Sequence, residues 1–277
     1  MEYKIIADSC CDMTPQLKNR LGVTPIPLTM RLGQKEFVDD DSLDLAGFMA
    51  EMKACKEKVG SASPSPYLYQ EAIENAQSSF VVTLSSKLSG SYENAVMGKA
   101  FAEENIKVDT YVFDSKSASA GEVLVAVKIR ELILQETPKD HIIQTVKHFI
   151  ENMKTYFILE RYDNLQKNGR LNKIKGKLIS MLNVKLVMGS DGDGNIALYD
   201  KFRGAKQMIE KLLTLIESSG KKTDGENLVI SHCNNGDLAK SLGNAIEQKY
   251  HFKEIFIVPT GGLSSLYTDD KGIVMAF

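Results

Sequence analysis

Along the first half of the chain, short apolar runs alternate with helical stripes, and the unit repeats. Tyr3-Lys4-Ile5-Ile6-Ala7, the stretch at 80–84 around Val81-Val82-Thr83, and Thr110-Tyr111-Val112-Phe113 are rich in β-branched and aromatic residues. Each is too short for a helix and predicts a strand. A serine-bearing loop follows each one, and then a helical pattern: through Leu17 to Gly22, through Tyr92, Ala95, Val96 and Ala100, and over 122–135. Thr14 before Pro15 has the form of an N-cap and first helical residue. Between these units, Thr24 to Met30 reads as extended, because each residue before a proline is pushed out of the α region. Gly33-Gln34 predicts a hairpin turn between 28–32 and 36–38. A helix is expected from near Ser42, carrying Leu43, Phe48 and Met52. By composition 60–66 is a loop, with Ser65-Pro66 opening a helix through Leu68, Ala72, Ile73 and Ala76. Pro138 marks one more helix start, with Ile142, Val146, Phe149, Ile150 and Met153 on its apolar face.

The second half is patterned differently. Strands are predicted at 155–159, 184–188, 196–199, 227–230, 254–258 and 272–277, and helices around Met208 to Ile216 and over 237–250. The segment from Asn164 leads to Asn168-Gly169-Arg170 and a basic run ending at Lys177. The glycine- and aspartate-rich turn at 189–195 lacks the glycine and terminal acid of a calcium loop, so it reads as a hairpin. The expected fold is therefore α/β: a parallel-sheet N-terminal domain (1–153) with helices on both faces, and a smaller α/β C-terminal domain (154–277) with a mixed sheet. In a parallel sheet, ligands gather at the C-terminal ends of the strands. That edge would carry Asp8, Ser9, Ser85, Ser86, Ser89, Asp114, Ser115 and Ser117. The loop 85–91, between a strand and a helix start, has the form of an anion-holding corner.

Composition narrows the function. The 277 residues are 43% hydrophobic and 25% charged with a net charge of −2, so no basic footprint for nucleic acid exists. No apolar run approaches the length of a membrane span, and the N-terminus reads as a strand rather than a signal peptide. A cytoplasmic protein is expected, and a monomer. Cys10, Cys11, Cys55 and Cys233 have no metal-ligand spacing. The first 140 residues hold no histidine, and no G-x-S-x-G elbow surrounds any serine, so a serine hydrolase lacks its base. His141 and His148 read as surface residues, and His232 as structural. Dinucleotide and P-loop glycine patterns are missing too. A serine-rich anion corner with neither base nor metal points to a holder rather than a catalyst. An enzyme using the serine loop, or a binder of another small carboxylate or phosphate, remains the alternative.

Six separated stretches give the chain a family resemblance. They are Asp8-Ser9-Cys10-Cys11-Asp12; Ser61-Ala62-Ser63-Pro64-Ser65; Leu84 to Tyr92; Val112-Phe113-Asp114-Ser115 with Gly121; Gly169-Arg170-Leu171; and Asp193 to Ile196 with Lys201, Arg203 and Gly204. In order and spacing they resemble the DegV family of bacterial fatty-acid-binding proteins. The resemblance implies two α/β domains (the EDD fold) with a long-chain fatty acid such as palmitate, stearate or oleate in a tunnel between them. It implies no cofactor, no metal and no catalysis by the chain itself. A partner fatty acid kinase would phosphorylate the presented acid for phospholipid metabolism. The family's carboxylate contacts map onto Ser61, from the T-S-x-P-S motif, and Ser89, from L-S-G-T. Arg170 would lie near the carboxylate mouth and serve the partner or the phosphate. Where the family carries the histidine of G-x-H-t-G-P-G, this chain has Tyr267, and Asp269, Asp270 and Lys271 replace the glycines that follow. A tyrosine hydroxyl can donate a hydrogen bond to a carboxylate but does not become a cation near neutral pH.

Overall fold

The computed structural model describes residues 3–171 and 184–277. The basic run ending at Lys177 therefore falls outside the described residues.

β1 (Lys4–Asp8) is buried along all but its first residue and leads into α1 (Pro15–Leu21). The α1 ends are written in the sequence. Thr14 accepts from the Leu17 N–H, Pro15 stands in the first turn, and Gly22 closes the helix at φ +62°. The extended stretch that follows splits between two sheets, as β2 (Val23–Ile26) and β3 (Thr29–Leu32). β3 turns at Gly33-Gln34 into β4 (Lys35–Val38). The next helix, α2 (Leu45–Ala54), starts later than the expected Ser42: Asp44 caps it by accepting the Gly47 N–H, which leaves Leu43 outside. β5 (Val59–Ala62) corrects the reading of 60–66 as a loop, for its first half pairs with β3. α3 (Pro66–Ala76), β6 (Ser78–Thr83), α4 (Ser91–Asn105), β7 (Asp109–Asp114), α5 (Ala120–Leu134) and α6 (Lys139–Asn152) then follow as expected.

The second half begins with β8 (Thr155–Ile158) and α7 (Asp163–Lys167). The hairpin of β9 (Lys185–Ser190) and β10 (Ile196–Phe202) precedes α8 (Gly204–Ser218). β11 (Asn227–His232), α9 (Gly236–Glu247), β12 (Glu254–Pro259), α10 (Gly262–Thr268) and β13 (Ile273–Ala276) complete the order. The short α10 has no counterpart among the predicted elements.

The described residues form three sheets. β2-β1-β6-β7 is entirely parallel. The six-stranded sheet β10-β9-β8-β13-β11-β12 is mixed, parallel only at β11/β12. β4-β3-β5 is a small antiparallel sheet. On one face of the parallel sheet, Ile6 and Val81 meet Tyr69, Ile73, Ala95 and Ala102 of α3 and α4. On the other, Ile5, Ala7, Phe80 and Val82 meet α5, whose far side meets Val229, Phe256, Val274 and Ala276 of the mixed sheet. α5 is thus a middle layer, buried continuously from Ala120 to Val127. Burial on every side over that run, with Val123 to Val127 all apolar, is what a helix between two sheets requires. The outer face of the mixed sheet packs on α8 and α9.

Candidate functional site

β8 alternates by strand rule: Tyr156 and Ile158 join the outer core, while Thr155 and Phe157 point inward. With Leu159 they line a cavity between the mixed sheet, the loops after β1, β6 and β7, and α10. Its walls are largely apolar, including Leu28, Leu84, Leu88, Ile196, Leu263 and Val274. It encloses about 860 Å³ of space between atoms, part of it open to solvent.

All four residues singled out in the sequence, Ser61, Ser89, Arg170 and Tyr267, line this cavity. Ser61 sits on β5, not in a loop, and its Oγ lies 2.8 Å from Tyr267 Oη. Strand β5 is held on both sides. Asn168 donates to the Val59 carbonyl (2.9 Å), and Asn94 donates to Ser63 Oγ (3.1 Å) and the Pro64 carbonyl (2.8 Å). Asn94 belongs to α4, so the same bonds seat the Ser61 strand against the Ser89 corner. Ser89 Oγ accepts the Ser91 N–H at 3.3 Å in the first turn of α4, which leaves its proton available to an acceptor in the cavity. Arg170 donates to the carbonyls of Leu88 (3.2 Å) and Asn168 (2.6 Å), and its guanidinium stands 5.6 Å from the centre of the Tyr267 ring. These contacts fix its plane beside the hydroxyl pair.

Most of the other edge serines have structural partners instead. Ser85 donates to the Gly194 carbonyl (2.8 Å), Ser9 accepts the Leu28 N–H (3.0 Å), and Ser115 donates to the Ser117 carbonyl (3.2 Å). Ser117 lines the cavity, but its Oγ is bonded to Thr155 Oγ1 at 2.7 Å. Of the expected anion corner, Ser89 is the member that both lines the cavity and has a hydroxyl proton to give.

Residues 2–276 match the family model described as "Uncharacterised protein, DegV family". The chain belongs to the DegV family. A DegV domain-containing protein of Streptococcus gordonii is 34% identical over 281 residues, covering 100% of this chain and 99% of that protein. Among solved structures, a DegV family protein from Ruminococcus gnavus with vaccenic acid superposes with a TM-score of 0.94 at 35% identity, covering 99% of each chain. The Streptococcus pneumoniae fatty acid kinase (Fak) B3 protein loaded with linoleic acid gives 0.91 at 33% identity, covering 100% of this chain and 99% of that one.

Beneath the cavity this DegV-family chain buries four carboxyls that pattern alone did not single out as a group: Asp8, Asp12, Asp39 and Glu122. Burial raises the pKa of each. Asp8 accepts from the Leu84 N–H (2.9 Å), Ser91 Oγ (2.6 Å) and the Cys10 N–H (3.2 Å), which offsets part of that cost. Burial and the neighbouring Asp8 push Glu122 well up. Asp12 is raised by burial to about 7, against hydrogen bonds from Ser119, Gly261 and Ser264 that favour its charge. These groups tie β1, β6, α4 and α5 together under the site. Asp8, Asp12 and Asp39 each have partners distant in sequence, while Glu122 closes a local capping box with Ser119.

Proposed function

We propose that this chain binds a long-chain fatty acid in the cavity and presents its carboxylate to a partner fatty acid kinase, without chemistry of its own. The observation that carries the reading is the composition of the cavity: an apolar body, with the hydroxyls of Ser61, Ser89 and Tyr267 and the Arg170 guanidinium among its polar lining. Ser89 and the Ser61–Tyr267 pair donate to the carboxylate, and Arg170 supplies positive charge beside it. The fatty acids in the Ruminococcus gnavus and Streptococcus pneumoniae relatives support the ligand class, and the kinase-named Streptococcus pneumoniae relative supports the partner. Units 1–153 and 154–277 then act as the two walls of the site. Among the described residues no helix is long and apolar enough to cross a membrane, which fits a cytoplasmic carrier.

Affinity divides between tail and head. Burying about fourteen methylenes is worth roughly 11 kcal/mol gross, at about 0.8 each, before ordering costs. Each hydroxyl bond to a carboxylate adds roughly 1.5–3 kcal/mol. The tail supplies the strength and the hydroxyls set the direction. Denaturing extraction of the purified protein followed by mass spectrometry is expected to release palmitate, stearate, oleate or a close relative. A protein that yields no fatty acid and takes up neither added palmitate nor added oleate overturns the reading.

A further inference from the structure

Helix α10 has seven residues, fewer than two turns, and a helix that short does not hold itself together in water. It nevertheless brings four side chains to the cavity on one face: Leu263 and Ser264, then Tyr267 and Thr268 one turn later. What holds it comes from far away in the sequence. The Gly261 N–H donates to Asp12 Oδ1 at 2.7 Å, and the Gly262 and Leu263 N–H groups donate to the two oxygens of Asp39 at 2.8 and 3.0 Å. Asp12 is itself fixed by Ser119 Oγ at 2.5 Å. At the other end Asn164 donates to the Leu266 carbonyl at 2.7 Å. Gly262 leaves no slack, for a Cβ there would stand 2.5 Å from Leu43 Cδ2 and 2.6 Å from both Asp39 Oδ1 and Met30 Cε.

Two buried carboxylates beside each other are a costly way to start a helix. Apolar neighbours already surround the site, with Leu28, Met30, Leu263 and Leu266 in one cluster, so packing alone does not call for them. Carboxylates do what packing does not: they fix the helix N-terminus in position and rotation through directional bonds. The rotation of α10 decides where Tyr267 Oη lies relative to Ser61 Oγ.

We propose that Asp12 and Asp39 are positioning residues for the head-group end of the site, holding α10 by its N-terminal N–H groups so that Tyr267 meets Ser61 and the ligand carboxylate. This rests on the reading of the cavity as a fatty acid site. Asp39 is the sharper probe, because it accepts two N–H groups with two oxygens. In Asp39→Asn one oxygen becomes an NH₂ group, and a donor then faces a donor.

The test is a double-mutant cycle read by displacement of a fluorescent fatty acid with oleate, on delipidated protein whose fold is checked by far-UV circular dichroism. Tyr267→Phe alone is expected to raise Kd about fivefold, the worth of one hydrogen bond of about 1 kcal/mol. Asp39→Asn is expected to do the same, and the double variant to be no weaker than either. Ser89→Ala, whose position does not depend on α10, is expected to multiply with Asp39→Asn. Gly262→Ala crowds Leu43, Met30 and Asp39 Oδ1 and so displaces the same helix while both carboxylates stay in the chain, and it is expected to abolish the Tyr267 effect as well; it carries the test if Asp39→Asn does not fold. A general loss of stability would not couple to Tyr267 selectively. Wild-type affinity in Asp39→Asn, or full multiplication of the Asp39→Asn and Tyr267→Phe effects, overturns the proposal. A wild-type protein that takes up no oleate instead removes the fatty acid reading beneath it.

Discussion

At the scale of single residues, the head-group end depends on which hydroxyls still have something to give. Ser85 and Ser115 sit in the same serine-rich edge as Ser89, yet both donate to backbone carbonyls and are fully buried. Ser89 only accepts, from the Ser91 N–H, and Ser61 shares one bond with Tyr267. On the proposed function, a carboxylate arriving there takes the free Ser89 proton and joins the existing pair at Ser61 and Tyr267. Ser89→Ala is accordingly expected to weaken palmitate binding about tenfold, near the lower limit for a hydrogen bond to a charged acceptor. Ser85→Ala should instead lower stability and leave palmitate affinity per folded molecule unchanged, because its partner is the Gly194 carbonyl of the facing hairpin. Titration calorimetry on the two variants checks this. Equal affinity losses in both would show that the division between free and engaged serines is wrong.

At the scale of elements, β8 acts as a ruler along the cavity. Thr155, Phe157 and Leu159 face inward and span about 13 Å, at about 3.3 Å per residue. Leu159 shares a cluster with Leu88 and Tyr267, at the head-group end. Thr155 ends the row, bonded to Ser117 at 2.7 Å. A chain end pushed between those two hydroxyls would strip both of their partner, so on the proposed function the pair sets the limit of the tail. Thr155→Leu removes space there and is expected to shift the bound acids toward shorter chains, by about fourfold in relative affinity for each methylene excluded, at ~0.8 kcal/mol apiece. Extraction after incubation with an equimolar mixture of saturated acids measures it, and an unchanged length profile would place the tail elsewhere. The elements differ in how legible they were. α1 announced itself through Thr14, Pro15 and Gly22, because its capping is local. The repeated strand–serine loop–helix unit was equally plain, and with the motif resemblance it led to Ser61, Ser89, Arg170 and Tyr267. Strand β5 was hidden, since Val59-Gly60-Ser61-Ala62 has loop composition and is extended only by pairing with β3. α10 was hidden for the same kind of reason. Its sequence, Gly-Leu-Ser-Ser-Leu-Tyr-Thr, has no helix signal of its own, and its capping carboxylates lie 249 and 223 residues earlier.

At the scale of the whole molecule, the two sheets share one middle layer, and the acids buried at its edge make stability depend on pH. Asp8, Asp12, Asp39 and Glu122 all have pKa values raised by burial. A carboxyl with a raised folded pKa binds more protons in the folded than in the unfolded chain. Its contribution is therefore complete below its ordinary value and is lost as the pH rises through the folded one. For Asp12 that window runs from 3.8 to about 7. Surface carboxyls act in the opposite sense: Asp40, Asp200 and Glu254 have lowered values and matter only as the pH falls below the ordinary carboxylate range. His232, lowered by burial, also opposes the trend, but only below about its usual 6.5. Between pH 5.5 and 8 the buried acids dominate, and the delipidated protein is expected to be more stable at the lower pH. Asp12 alone contributes about 2 kcal/mol from pH 5.5 to its midpoint, at about 1.4 kcal/mol per pH unit. Asp12→Asn, neutral at every pH, should flatten that part of the slope. Urea unfolding of wild type and Asp12→Asn at pH 5.5, 6.5, 7.5 and 8 measures both. A wild-type protein that gains stability toward pH 8, or a slope that Asp12→Asn leaves intact, would mean that these carboxyls are ionised throughout, with their hydrogen bonds outweighing burial.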